Sequence, residues 1–129
     1  MKYVLDTHAF IWHLTDDPRL GDEARRILDD PNTEIILPSI VLAEAKHIAD
    51  KKRVSIKYSQ ILEALATMPQ LQVFPIDETT IAHLPSNLDI HDSLIVATAM
   101  SCNELYADQV ILITRDQTII DSDLVRTIW

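Results

Sequence analysis

Four acidic side chains stand where a folding chain gains least from them. Asp6 closes the apolar run Tyr3-Val4-Leu5. Glu44 interrupts the apolar stripe of a helix, and Asp92 does the same within His91-Asp92-Ser93-Leu94-Ile95-Val96-Ala97-Thr98-Ala99. Asp116 follows the apolar run Val110-Ile111-Leu112-Ile113. A carboxylate surrounded by apolar groups is costly unless it is paired or coordinates a metal. Each acid taken alone also reads as a surface acid at a strand end or a helix cap. Four of them, each at the edge of a hydrophobic element, point to a divalent-cation site. Carboxylates with few other donors suit Mg²⁺ or Mn²⁺, which take oxygen ligands and retain water. Such a site orients a phosphate, lowers the pKa of a water and stabilises a leaving oxygen.

The elements that must position these acids alternate between strand and helix. Strands are expected at Val4-Leu5, Glu34–Leu37, Leu71–Phe74 and Val110–Thr114, with a possible fifth over Leu124–Ile128. Between them, Thr7 is expected to cap a helix carrying Ala9, Phe10, Trp12 and Leu14, and Asp22–Leu28 forms a second. Ser39 reads as the N-cap of a helix running to Lys51 or Lys52. Ile61, Leu62, Leu65 and Met68 share one face of a helix over Tyr58–Met68. Asp77 caps a short helix through His83, and Asp89 caps one that carries Asp92 to about Met100. Alternation of this kind implies a parallel sheet covered on both faces, an α/β architecture with three layers and four to five strands. Its ligand site belongs beyond the carboxyl ends of the strands, at a switch in strand order. Asp6 and Asp116 both fall there. On the third helix, Ile40, Val41, Ala45 and Ile48 lie on the side of Glu44, while Lys46 and Asp50 point elsewhere.

The bulk properties limit the alternatives. A chain of 129 residues with 47% hydrophobic content suits one domain spanning residues 1–129. No apolar run approaches a membrane span, and no basic, then apolar, leader opens the chain, so no membrane partner is expected. Cys102 is the only cysteine, which fits a reducing cytoplasm. The net charge of −9, from 20 acids against 11 Lys and Arg, argues against a nucleic-acid partner on its face. A bound cation would cancel part of that charge where a phosphate would sit, and the basic residues cluster at Arg25-Arg26, Lys51-Lys52-Arg53 and Arg115. With Gly21 as the one glycine, neither GxGxxG nor a Walker A loop exists, and nucleotide-cofactor readings lose their basis.

The segments KYVLDTHAFIW, PSIVLAEAKHIADK, LDIHDSLIVATA and VILITRD, in that order and spacing, resemble the PIN domain, specifically the VapC-type toxin ribonucleases of prokaryotic toxin–antitoxin pairs. The likeness runs over essentially the whole chain, and its specific part is D-x-x-D-x-L-I-x-A-T-A following an initial L-D-T. It implies a parallel sheet flanked by helices and metal-dependent endonucleolytic cleavage of RNA, leaving a 5′-phosphate and a 3′-hydroxyl. Its acidic quartet maps onto Asp6, Glu44, Asp92 and Asp116, with Asp89 as an auxiliary acid. It also implies a cognate antitoxin covering the acidic groove, and a homodimer. Two positions depart from the pattern. Ser93 stands where the family commonly has a basic residue, and Asn103–Asp108 stands where it has a glycine before the fourth strand.

In that reading Asp6, Asp92 and Asp116 hold Mg²⁺ or Mn²⁺, and Glu44 positions the attacking water and acts as its base. Thr7 and Thr114 flank two of the acids and are auxiliary candidates for orienting a carboxylate. The plainer expectation is an N-cap for Thr7 and a strand residue for Thr114. Lys51, Lys52, Arg53 and Arg115 are candidates for RNA contact, Arg115 being as well placed to pair with an acid. His47 and His91 are expected to be solvated, His8 and His13 offer no stronger metal signal, and Trp12, Phe10 and Trp129 are expected to serve as core or interface. Two other functions compete. An aspartate-based phosphatase would use Asp6 as nucleophile, but His8 stands where it needs a second acid. A non-catalytic PIN-like binding module would not need all four acids. The RNA target, whether tRNA or rRNA, is not legible.

Overall fold

A computed structural model describes residues 1–107 and 109–129. Strands β1 (Lys2–Leu5), β2 (Glu34–Pro38), β3 (Leu71–Phe74), β4 (Val110–Ile113) and β5 (Thr127–Ile128) form one five-stranded sheet. Its order is β3-β2-β1-β4-β5 and every pairing is parallel. The central strands β1, β2 and β4 are nearly continuous apolar runs because both faces of the sheet are covered. The helices α1 (Thr7–Leu14), α2 (Asp22–Asp29), α3 (Ser39–Asp50), α4 (Tyr58–Thr67), α5 (Glu78–Ala82), α6 (Ile90–Tyr106) and α7 (Gln117–Ser122) flank it, as the α/β expectation requires.

The chain builds β1, β2 and β3 outward on one side, then returns to place β4 and β5 on the other. The switch therefore falls between β1 and β4. Their register pairs Leu5 with Ile113, so Asp6 and Thr114 emerge side by side at the carboxyl ends. The Asp6 N–H donates to the Ile113 carbonyl at 3.3 Å and holds that alignment one residue further. Val4, Leu5, Leu112 and Ile113 are all but inaccessible, and each such side chain contributes about 1.5–3 kcal/mol to stability. The acids at the switch thus follow directly on the most deeply buried strands.

Several local expectations shift. Asp6, not Thr7, is the N-cap of α1, since its Oδ1 accepts from the Ala9 N–H at 2.8 Å. Ser39 is the first helical residue of α3 after Pro38, and its hydroxyl accepts from the Ile76 N–H at 3.2 Å instead of capping. The helix carrying Asp92 extends to Tyr106, well beyond Met100, because Ser101 and Cys102 continue its buried face. Asn103 then accepts from the Val110 N–H at 2.6 Å, so a polar residue that reads as loop closes the helix onto β4. Asp108, in the same expected loop, lies outside the described residues. The helix α7 was not anticipated, and β5 is confined to Thr127–Ile128, short of the span from Leu124.

Candidate active site

Three of the four acids open helices. Asp6 caps α1, Asp116 caps α7, and Asp92 lies in the first turn of α6 behind its cap, Asp89. Helix N-termini present unpaired N–H groups and a positive dipole end, so a carboxylate is tolerated there. Asp116 Oδ1 accepts from the N–H groups of Thr118 at 2.9 Å and Ile119 at 3.2 Å. Asp89 Oδ1 accepts from the Asp92 N–H at 2.9 Å. Capping occupies one oxygen of each cap residue and aims the helix start at the shared crevice.

Two threonines tie the acids together, against the plainer expectation for both. The Thr7 hydroxyl donates to Glu44 Oε1 at 3.2 Å, joining the start of α1 to α3. Thr114, just past β4, hydrogen-bonds through its side chain to Asp6 and accepts from the Asp116 N–H at 3.0 Å. Thr7 and Thr114 are buried, at 5% and 1% exposure, so neither hydroxyl has water as an alternative partner. His91 is exposed, as expected, and its Nδ1 lies 3.5 Å from Glu44 Oε2.

The acids feel one another. Burial raises the Asp6 carboxyl above its ordinary value, opposed by the Thr114 and Ala9 hydrogen bonds and reinforced by the charge of Asp116. Asp92 is pushed up to about 6, first by burial and then by the charges of Asp116, Asp89 and Glu44. Asp89 moves the opposite way, held down by the Asp92 N–H. Asp116 therefore acts on both Asp6 and Asp92, and Asp89 and Glu44 act on Asp92. Among the described residues, no three His, Cys, Asp or Glu side chains converge tightly enough to cage an ion by themselves. The donor set is carboxylate only, and its members repel. A carboxylate donor set of this kind suits a hard divalent cation that keeps part of its water shell.

Beside the acids lies a cavity of about 550 Å³ lined by Asp6, His8, Ile11, Trp12, Arg19, Ile48, Arg53, Val54, Arg115 and Asp116. Of the expected basic contacts, Arg53 and Arg115 face it. Lys51 and Lys52 are exposed at the carboxyl end of α3 and do not line it. Arg115 is not paired with an acid of the cluster. It lies over the Trp12 ring, 4.4 Å from the centroid. Arg19 also lies over Trp12, at 4.6 Å, and was not singled out from the sequence. Its spacing two residues after Asp17, with which it makes a bidentate pair, is the signal that was available.

The model of the PIN domain family matches residues 3–123. Comparison with curated proteins finds no significant match. Among solved structures, the chain resembles VapBC2 from Rickettsia felis, bound to a DNA fragment from its promoter, with 18% identity and a TM-score of 0.72 over 99% of this chain and 98% of that one. FitAcB from Neisseria gonorrhoeae aligns with 20% identity and a TM-score of 0.71, covering 98% and 96%. VapBC-1 from nontypeable Haemophilus influenzae aligns with 21% identity and a TM-score of 0.68, covering 99% and 97%. At these identities the likeness speaks for the fold. No helix among the described residues is long and apolar enough to cross a membrane.

Proposed function

Because the chain belongs to the PIN domain family, whose members are generally nucleases, we propose that it is a Mg²⁺- or Mn²⁺-dependent endoribonuclease, the toxin of a toxin–antitoxin pair. The observation that supports this most is that Asp116, at the β1/β4 switch, acts on the carboxyls of both Asp6 and Asp92, and Glu44 on that of Asp92. The VapBC and FitAcB fold likeness supports the toxin assignment and a cognate antitoxin. In this reading the chain works in the cytoplasm, as its single buried thiol suits, and forms a homodimer.

In this reading Asp6, Asp92 and Asp116 would hold the cation, and Asp89 positions Asp92 through the first turn of α6. A bound divalent cation supplies Lewis acidity toward the phosphate and acidifies a water. Glu44, steadied by the Thr7 hydroxyl, takes the proton of the attacking water. Thr114 links the Asp6 carboxylate to the backbone N–H of Asp116. In-line attack on the phosphodiester then releases a 3′-hydroxyl and leaves a 5′-phosphate. His8, two residues after Asp6, supplies no second acid, which weighs against an aspartyl-phosphate route.

The test is cleavage of total RNA by purified protein with Mn²⁺, with Mg²⁺ and with EDTA, alongside Asp6→Asn. The substitution keeps the capping oxygen for Ala9 but removes the charge. Cleavage is expected to vanish without loss of the folded circular dichroism signal. Full activity of the variant, or of the wild type in EDTA, rejects the assignment.

A further inference from the structure

We propose that Trp12 and Trp129 form a cation–π clamp that holds the Arg115 guanidinium off the acids beside it, so that Asp6 and Asp116 keep their charge for a divalent cation. The cation in this proposal comes from the nuclease reading, whereas the clamp itself rests on geometry alone.

Arg115 immediately precedes Asp116 and lines the same cavity as Asp116 and Asp6. A guanidinium in that position is well suited to neutralise a carboxylate, because its fork matches the two oxygens and the pairing is charge-assisted. It would then occupy the oxygens that a hard cation needs. Other cationic side chains of this chain do pair with acids near them in sequence. Arg19 joins Asp17, Arg25 joins Asp16, Arg26 joins Glu23 and Lys46 joins Asp50. Arg115 instead lies over aromatic rings, 4.4 Å from the Trp12 centroid and 5.8 Å from that of Trp129. Its charge reaches Asp17, whose carboxyl is held low first by hydrogen bonds from Arg19 and more weakly by Arg115.

Both rings are fixed from elsewhere in the fold. Trp12 is a buried residue of α1, and Trp129 meets it edge-on at 5.8 Å. Trp129 follows β5, whose Ile128 pairs with Ile113 and accepts from the Thr114 N–H at 3.1 Å. The pairing that carries Thr114, Arg115 and Asp116 therefore also delivers the ring that restrains Arg115. Gly21 makes room for that ring, having no side chain where Trp129 lies. Arg19, also over Trp12, is tied down by its bidentate pair with Asp17. Trp12 and Trp129 are thus positioning residues that act through Arg115.

The experiment uses the full chain in two arms. In EDTA, nuclear magnetic resonance reads the side-chain protons of Arg115, which ring currents are expected to shift upfield in the wild type and less in Trp129→Ala. At pH 7 and low salt, electron paramagnetic resonance of free Mn²⁺ reads binding. Trp129→Ala is expected to weaken Mn²⁺ binding about fivefold, the scale of one exposed cation–π contact. Trp129→Phe keeps a ring and is expected to stay within about twofold of the wild type. Arg115→Ala alone is expected to stay within about twofold as well, since the clamp already holds that charge away. Adding Arg115→Ala to Trp129→Ala is expected to restore Mn²⁺ affinity, a rescue that loss of packing alone does not allow. Unshifted Arg115 protons in the wild type, a loss in Trp129→Ala that Arg115→Ala fails to restore, or much tighter binding by Arg115→Ala alone overturns the proposal. Mn²⁺ binding indifferent to Trp129→Ala overturns it and leaves the nuclease reading standing. No Mn²⁺ binding by the wild type overturns that reading and the proposal with it.

Discussion

The Thr7 hydroxyl donates to Glu44 across 3.2 Å, linking the first residue of α1 to the middle of α3. This bond restrains a side chain that is still 24% exposed and would otherwise sample several rotamers. Thr7→Val removes the donor and keeps the shape. A hydrogen bond to a charged group contributes about 1.5–3 kcal/mol. Turnover is expected to fall about tenfold with little change in KM, because Glu44 acts on the water and not on substrate binding. Thr7→Ser is expected to restore it. Steady-state kinetics on a defined RNA distinguishes the two, and an unchanged kcat in Thr7→Val refutes the role.

Stability of the cation-free protein is expected to depend on pH through Asp92. Its folded carboxyl is raised to about 6 from 3.8, mainly by burial, then by Asp116, Asp89 and Glu44. The folded state therefore binds the proton more tightly than the unfolded chain does. The resulting stability is present below 3.8 and is lost as pH rises through about 6. Asp6, also raised, acts with the same sign. In EDTA, the melting temperature is expected to decline between pH 4 and 7, and Asp92→Asn to flatten that decline. A flat wild-type profile contradicts it.

Adding Mn²⁺ at pH 7 is expected to reverse that loss. A ligand at a hundredfold excess over its Kd stabilises the folded state by about 2.7 kcal/mol. The melting temperature of the wild type should rise by several degrees, and that of Asp92→Asn much less. Equal rises would place the ion away from Asp92.

Gly21 is expected to tolerate no side chain. Its φ of −62° is ordinary, so the constraint is space. A Cβ would lie 2.5 Å from Trp129 Cδ1 and 2.6 Å from its backbone carbon. Gly21→Ala is expected to cost about 1–3 kcal/mol and to shift tryptophan emission as Trp129 moves from Trp12. Chemical denaturation and fluorescence together check both.

Asp89→Ala is expected to lower stability by about 1 kcal/mol through loss of the α6 cap. It also frees the first turn that carries Asp92, so activity is expected to fall further than stability explains. Asp89→Asn retains an accepting oxygen and is expected to keep the stability.

Sequence and structure agree where the deciding interactions are local or strongly patterned. The apolar runs at β1, β2 and β4 and the polar breaks between them sufficed for a parallel α/β sheet. The caps Asp77 and Asp89 were legible because a cap bonds to a backbone three residues away. Asp6 was legible as an acid at a strand end but not as a cap, since Thr7 was an equally good candidate one position on. What decided between them was Glu44, 37 residues distant, which claims the Thr7 hydroxyl.

The linear chain by itself determined which residues carry charge, which runs are buried and that Asp6, Asp92 and Asp116 lie at the ends of elements. Only the tertiary structure decided how those ends are arranged. The parallel register of β1 with β4 sets Asp6 beside Thr114, and packing of α1 on α3 brings Thr7 to Glu44. It likewise decided that Arg115 lies on Trp12 and not on a neighbouring acid. The physical reason is range. Propensity and capping act within a turn of the backbone, whereas charge coupling, buried hydroxyl bonds and guanidinium stacking depend on distances that exist only after the sheet has closed its strands in order.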